Sequence, residues 1–141
     1  MTDFKRFKYQ MLIREHHLDT FNHVNNATYL QILEDARWEF LNVSGLGLKI
    51  IHESGVGPVV LECNIKFLKE LRLRQMITIE SQMLSYEKKI GVMSQTIFDE
   101  NETVCCQAKL TFGVFDLNSR KLILPSLQWL QAIGIDSQDA L

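Results

Sequence analysis

The sequence is short of the features that mark several classes of protein. It has three cysteines, Cys63, Cys105 and Cys106, an odd number without CxxC spacing, so neither a disulfide framework nor a zinc site is indicated. No apolar run approaches the roughly 18 residues of a membrane span. The first residues, "MTDFKRFKYQ", are charged and lack the apolar segment of a signal peptide. We therefore expect a reduced, cytoplasmic protein that is not inserted in a membrane.

Charge and size narrow the possibilities further. A formal net charge of -2 provides no bulk attraction to nucleic acid or to an anionic membrane, so we expect neither as a partner. The content of 46% hydrophobic and 23% charged residues is typical of a globular protein. At 141 residues, without repeats or a linker, the chain is predicted to be a single domain over residues 1–141.

Hydrophobic periodicity predicts one long helix near the start of the chain. Residues 28–45 carry apolar side chains at spacings of three and four, and Gly45 is a plausible stop. A first strand is predicted at residues 7–17, before this helix. The glycine-bearing segment at residues 46–57 is interpreted as a loop or short irregular segment.

After Pro58 the apolar period changes to two, which predicts strands. In the first of them Val59, Leu61, Cys63, Ile65 and Phe67 are expected to form one dry face. Two more strands are predicted at residues 75–87 and 90–100, and a last strand at 104–117 after a hairpin loop at 99–103. Pro125 is expected to open a short terminal helix.

This order of elements predicts an α+β domain, in which a five-stranded, mainly antiparallel sheet covers one long helix. Such a sheet leaves open edges and an outer face. A homodimer or homotetramer would bury part of that surface, so we expect the chain to assemble with copies of itself.

The segment "HLDTFNHVNNATYL", residues 17–30, is unusually polar for the corner between a strand and a helix. The first backbone N–H groups of the helix, from about Asn25 to Thr28, are expected to lack partners and to point outward with the positive end of the helix dipole. Such donors can stabilise the oxyanion formed when a carbonyl is attacked. Asp19 lies within reach if the chain turns back, which suggests a hydrolytic site.

Residues of this corner resemble the D-x-x-x-H-V-N-N-x-x-Y motif of hotdog-fold thioesterases, especially the 4-hydroxybenzoyl-CoA thioesterase-like acyl-CoA thioesterases. The matching residues are Asp19, His23, Val24, Asn25, Asn26 and Tyr29. Many members of that family have glycine where this chain has Asn22, and some bacterial members have a catalytic histidine where it has Asn26. The order of elements also matches the hotdog fold.

The resemblance implies hydrolysis of an acyl-CoA or acyl-carrier thioester to a free acid, with no metal and no cofactor beyond the CoA thioester substrate. Asp19 would act as general base or nucleophile, and His23 and Asn26 would assist it. The active site would lie at a dimer interface.

Several of these residues also have structural explanations. Asp19 suits a turn, and His23 could either transfer a proton or serve only as a hydrogen-bonding group that fixes the loop. Asn25 and Asn26 are both candidate helix caps, and Asn26 is preferred for orienting substrate or water. Tyr29 belongs to the apolar stripe, although its hydroxyl could reach a substrate.

Substrate-binding candidates are Asn25 and Tyr29, joined by Arg72, Lys88 and Lys89 for the CoA phosphates. Each basic residue could equally be a solvated strand end. Glu34 and Arg37 are expected to form a local ion pair on the helix. No residue is predicted to bind a metal, since His16 and His52 lack the spacing of zinc ligands.

Two alternatives to hydrolysis remain open at this stage. The first is a non-catalytic dimer that binds acyl-CoA or an acyl carrier, which the asparagine at position 26 supports. The second is an enoyl-CoA hydratase with the same fold, for which "DTFNHVNN" is the poorer match.

Overall fold

The structure is a computed structural model that describes residues 4–136. The two ends of the domain predicted at residues 1–141, residues 1–3 and 137–141, lie outside the described residues. No helix among the described residues is long and apolar enough to cross a membrane.

Six strands and three α-helices make up the described part of the chain. The strands are β1 (Arg6–Leu12), β2 (Val56–Phe67), β3 (Met76–Glu87), β4 (Ile90–Phe98), β5 (Val104–Asp116) and β6 (Lys121–Ile123). The helices are α1 (Asn26–Val43), α2 (Leu48–Ser54) and α3 (Leu127–Ala132). A single 3-10 turn, Glu15–His17, follows β1.

The strands form one antiparallel sheet in the order β1-β3-β4-β5-β2, and the short β6 pairs with the end of β5. Helix α1 packs against β1 and β3. This is the predicted hotdog arrangement, an α+β fold in which a mainly antiparallel sheet wraps one long helix and a short helix follows at the C-terminal end. The prediction of fold class is therefore confirmed.

Helix α1 buries one stripe of its surface against the sheet. Its N-terminal half contributes Ile32, Leu33 and Ala36 to a first cluster that reaches β3, β4 and β5. Its C-terminal half contributes Phe40 and Leu41 to a second cluster that includes α3. The three- and four-residue spacing predicted this helix, and Gly45, with φ of 82°, lies just beyond its end.

Three local predictions were wrong because short elements carry little periodic signal. The first strand ends at Leu12 instead of continuing to residue 17, since His17 Nδ1 accepts a hydrogen bond from Arg14 N–H in the 3-10 turn. The segment at residues 46–57, interpreted as a loop, contains α2, which ends at Gly55 with φ of 71°. Strand β6 was not predicted, because three residues are too few to show alternation.

The dry face predicted for β2 was also wrong in part. A bulge at Leu61 lies between the pairs Val60–Phe112 and Glu62–Thr111. Directly paired residues share a face, and Phe112 and Leu110 are both buried. Their partners Val60 and Cys63 therefore both face inward, although they are three residues apart, because the bulge between them shifts the alternation by one residue. Even these inward positions are incompletely covered, with Val60 44% exposed, because β2 is the edge of the sheet.

Candidate active site

Residues 19–23 form a small closed loop before α1. Asp19 N–H donates to His23 O (2.9 Å), and Asn22 N–H donates to Asp19 O (3.1 Å). An isolated antiparallel bridge joins Leu18 to Val24 across the base of the loop. Asn22 has φ of 64°, a left-handed conformation that glycine and asparagine adopt most readily. Asparagine at this position therefore preserves the turn for which many family members use glycine.

The carboxylate of Asp19 is half-buried and anchors this loop through one oxygen. Its Oδ1 accepts hydrogen bonds from Phe21 N–H (2.9 Å) and His23 N–H (3.2 Å). Among residues 4–136, the second oxygen, Oδ2, accepts no hydrogen bond. One oxygen thus fixes the orientation of the side chain and leaves the other available to a ligand.

The start of α1 offers fewer outward donors than the sequence suggested. Asn25 is the N-cap, and its Oδ1 accepts a hydrogen bond from Ala27 N–H (2.8 Å). Its backbone oxygen accepts from Thr28 N–H (2.9 Å) and Tyr29 N–H (3.2 Å). Within the described residues, the N–H of Asn26 donates to no acceptor. The expectation of unpaired donors was therefore wrong for Ala27 and Thr28, whereas Asn26 N–H, the first N–H of the helix, is available to a carbonyl.

The side chain of His23 contacts a residue that the sequence did not suggest. Its Nε2 lies 3.0 Å from Glu70 Oε1, in the loop between β2 and β3. Both side chains are largely exposed, at 60% and 46%. His23 thus bonds to Asp19 through its backbone N–H and contacts Glu70 through its imidazole.

Asn26 and Tyr29 lie on the first turn of α1 in different environments. Asn26 is exposed and its side chain forms no hydrogen bond within residues 4–136. Tyr29 is buried in the first core cluster, where its ring meets the edge of Phe67 with centroids 5.0 Å apart. Burial raises the pKa of the Tyr29 hydroxyl above its ordinary value of 10.0, so the group can donate a hydrogen bond but does not act as an anion at physiological pH.

The three predicted phosphate contacts do not lie together in one chain. Arg72 lies in the loop just before β3. In the same loop Arg74 N–H donates to Ile13 O, which follows β1, so Arg72 is at the end of the sheet from which the chain continues to Asp19. Lys88 and Lys89 form the exposed turn after β3, which is 12 residues long. Because a strand rises about 3.4 Å per residue, roughly 40 Å separates the two ends of β3.

A largely apolar pocket lies farther along α1 than the Asp19 loop. It has a volume of about 240 Å³ between α1, α3 and strands β2, β4 and β5. Its lining includes Phe40, Leu41, Val60, Met93 and Phe112, together with the charged side chains of Glu34 and Arg37. Asp19 is not part of this lining, so the loop and the pocket are separate features of the single chain.

Glu34 and Arg37 do not form the ion pair that their spacing predicted. The Nη1 group of Arg37 donates to Gln95 Oε1 (2.9 Å), and Trp38 Nε1 donates to Glu34 Oε2 (3.1 Å). Burial lowers the pKa of Arg37, and the nearby charge of Glu34 opposes that shift. Each charged side chain instead bonds to a neutral partner. Over residues 4–136, no three His, Cys, Asp or Glu side chains are grouped so that they could hold a metal ion.

Comparison with known proteins agrees with this architecture. Residues 13–133 match the sequence profile of the family described as the thioesterase-like superfamily. The long-chain acyl-CoA thioesterase FadM of Escherichia coli (strain K12) is 36% identical over 115 residues, which cover 81% of this chain and 86% of that protein.

Solved structures are also similar. The probable thioesterase YbaW from Escherichia coli superposes with a TM-score of 0.77 at 32% identity, covering 89% of this chain and 94% of that one. The hypothetical protein SAV2348 from Staphylococcus aureus, solved in complex with CoA, gives a TM-score of 0.84 at 20% identity, over 94% of this chain and 84% of that one. The second likeness concerns the fold alone. From the profile match and the 36% identical relative, the chain belongs to the thioesterase-like superfamily and is a hotdog-fold thioester hydrolase.

Proposed function

We propose that the chain hydrolyses an acyl-CoA thioester to a free acid and CoA, with Asp19 as the reacting carboxylate. Its similarity to a long-chain acyl-CoA thioesterase supports the substrate class. The observation that supports a catalytic role for Asp19 is that its two carboxylate oxygens differ in hydrogen bonding. Oδ1 accepts two backbone hydrogen bonds, whereas Oδ2 accepts none within the described residues.

As a general base, Asp19 Oδ2 would take a proton from water while the water oxygen attacks the thioester carbonyl. As a nucleophile, Oδ2 would itself attack, and water would then hydrolyse the resulting anhydride. In both routes the carbonyl oxygen becomes an oxyanion, for which Asn26 N–H is the proposed donor. The carbon–sulfur bond then breaks, and in the second route this step forms the anhydride. The CoA thiolate leaves as the thiol after taking a proton from Asp19 in the first route and from water in the second. Both routes remain part of the proposal.

The first experiment measures kcat/KM on a panel of acyl-CoAs with a thiol reagent, for the unmodified chain and for Asp19→Asn. Asparagine retains an Oδ1 acceptor for the N–H groups of Phe21 and His23, so the loop should keep its shape. It cannot act as a base or as a carboxylate nucleophile. We expect kcat/KM to fall by about 100-fold or more on the best substrate.

A matched control is Asp35→Asn, which removes one carboxylate charge from the exposed side of α1. This change should leave kcat/KM within about threefold, because the side chain lies outside the loop and the pocket. A loss below about tenfold for Asp19→Asn, on a substrate that the unmodified chain hydrolyses well, would contradict the proposed role.

We assign supporting roles to the other residues of the corner. Asn25 caps the helix and so presents Asn26 N–H, while the Asn26 side chain would orient water or substrate. His23 would act with Glu70 to hold the loop beside the bound thioester. Tyr29 would contact the acyl group from the core side.

For the CoA phosphates, Arg72 is the proposed contact at the Asp19 end of the chain. Lys88 and Lys89, at the far end of β3, would require a CoA bound by a different protomer. This requirement agrees with the proposal that the protein functions as a homodimer or homotetramer. The exposed apolar residues of edge strand β2, such as Leu61 (48% exposed) and Phe67 (47%), support assembly through that edge.

A further inference from the structure

The pocket beside α1 combines an apolar wall with two charged side chains that are not paired with each other. Most of its lining is aliphatic or aromatic, and Glu34 and Arg37 occupy its helix side. A hydrocarbon chain alone would match the apolar wall but would offer no hydrogen bond to the remaining N–H groups of Arg37 or to Glu34 Oε1, which Gln95 and Trp38 do not engage. Glu34 is exposed and Arg37 is half-buried, so a ligand that displaces water from them without replacing its hydrogen bonds incurs a desolvation cost.

Arg37 is held in place by a completely buried amide. Gln95, with 0% exposure, accepts from Arg37 Nη1 through its Oε1. Its Nε2 donates to Leu33 O and to Ser81 Oγ, both at 3.0 Å. A guanidinium has five N–H donors, and Gln95 is the acceptor for one of its nitrogens. No carboxylate among residues 4–136 lies within 4.0 Å of Arg37, so donors remain on a charged group whose position is fixed.

Glu34 provides an acceptor on the same side of the pocket. Its Oε2 accepts from Trp38 Nε1 (3.1 Å), while Oε1 has no partner within the described residues. The pocket therefore presents a donor from Arg37 and an acceptor from Glu34. A ligand carboxylate would be repelled by Glu34, and a carbonyl could only accept. A hydroxyl group can accept from Arg37 and donate to Glu34 at the same time.

We propose that this pocket selects acyl groups that carry a hydroxyl group on the chain, remote from the thioester. The proposal rests on the proposed acyl-CoA thioesterase function and names its substrate class. Glu34 lies eight residues beyond Asn26, and a helix rises 1.5 Å per residue, so about 12 Å separates them along α1. The hydroxyl is accordingly bound well away from the carbonyl that reacts.

The test compares two acyl-CoAs of equal chain length, one with a hydroxyl group near the middle of the chain and one without. For the unmodified protein we expect kcat/KM to favour the hydroxylated substrate by about tenfold or more, since a site built to bond a hydroxyl rejects the analogue that lacks it. Glu34→Gln keeps an acceptor for Trp38 but replaces the other oxygen with a donor. This variant should reduce the preference to about threefold or less.

The matched control is Glu39→Gln, which removes the same charge from α1 outside the pocket lining. It should retain the full preference. Equal kcat/KM for both substrates in the unmodified protein would overturn the proposal, as would a preference that survives Glu34→Gln.

A second measurement separates this proposal from the proposed function. Calorimetric titration with the two free fatty acids, hydroxylated and unsubstituted, measures selection in the pocket without turnover. Tighter binding of the hydroxylated acid, by about tenfold, supports the pocket assignment even if no thioester is hydrolysed. Equal or absent binding of the two acids overturns the assignment, whatever the result of the thioesterase assay.

Discussion

Replacing Gln95 with leucine would remove the buried amide that joins α1 to the sheet. Gln95 makes three hydrogen bonds, to Arg37, to Leu33 O and to Ser81 Oγ, and it has 0% exposure. Leucine has a similar size but no polar atoms. The change therefore isolates the polar contribution of this cluster to the free energy of unfolding.

The magnitude follows from the three bonds. The bond to the charged guanidinium contributes about 1.5–3 kcal/mol, and its loss leaves a partly buried cation without this acceptor. The Leu33 carbonyl keeps its helical bond and the Ser81 hydroxyl can reorient, so these two losses together cost about 1–2 kcal/mol. Burying the additional apolar surface of leucine offsets about 1–2 kcal/mol. We therefore expect a net destabilisation of about 2 kcal/mol.

The assay is urea unfolding at a fixed protein concentration, followed by tryptophan fluorescence from Trp38 and Trp129. The matched control is Gln107→Leu, at an exposed position on β5, which should change the free energy of unfolding by less than about 0.5 kcal/mol. If Gln95→Leu costs less than about 1 kcal/mol, the buried amide does not hold Arg37, and the argument for a fixed guanidinium in the pocket fails.

Two further changes test other polar groups. Tyr86→Phe should leave the free energy of unfolding unchanged or raise it by up to about 1 kcal/mol in urea titrations, because the buried Tyr86 hydroxyl makes no well-formed hydrogen bond among the described residues, although the Val114 backbone lies beside it. A clear destabilisation would show that the hydroxyl is bonded to Val114. Asp99 accepts hydrogen bonds from Thr103 N–H and Lys69 Nζ, and these bonds lower the pKa of its carboxyl below the ordinary value of 3.8. The ionised carboxylate therefore contributes its full share to the free energy of unfolding above pH 3.8. That contribution is lost as the pH falls through the lower pKa of the folded state. Unfolding measured against pH should therefore show Asp99→Asn less stable than the unmodified chain at neutral pH, and the difference in free energy of unfolding should shrink below about pH 3.8. A difference that stays constant into acid would contradict this assignment.

The long elements could be predicted from the sequence because their periodic patterns extend over many residues. Helix α1 shows its apolar stripe over 18 residues, and β3 and β5 alternate over 12 and 13 residues. Helix α2 and strand β6, with seven and three residues, are too short for a period to emerge. The bulge at Leu61 was not predicted. One extra residue moves every side chain beyond it to the opposite face of the sheet, and it does so without changing the composition of the strand.

The candidate site divides in a similar way between local and distant contacts. The helix cap at Asn25 and the turn at Asp19 involve residues within four positions of each other, so the sequence could suggest both. The contact between His23 and Glu70 joins segments that are far apart in the chain. The bond from Arg37 to Gln95 spans 58 positions and displaced the predicted local ion pair with Glu34. Side-chain partners of this kind depend on how the helix lies on the sheet, which one sequence does not specify.

Asp19 brings these two kinds of inference together. From the sequence, a turn-forming carboxylate and a catalytic carboxylate were competing explanations of the same residue. The two explanations are compatible, because the N–H groups of Phe21 and His23 both bond to Oδ1 and leave Oδ2 uncommitted within the described residues. In the proposed reaction, the structural bonds orient the reactive oxygen before substrate arrives, which reduces the reorganisation needed at the transition state. The loop is thus part of the proposed chemistry, since the bonds that close it also fix the direction of Oδ2.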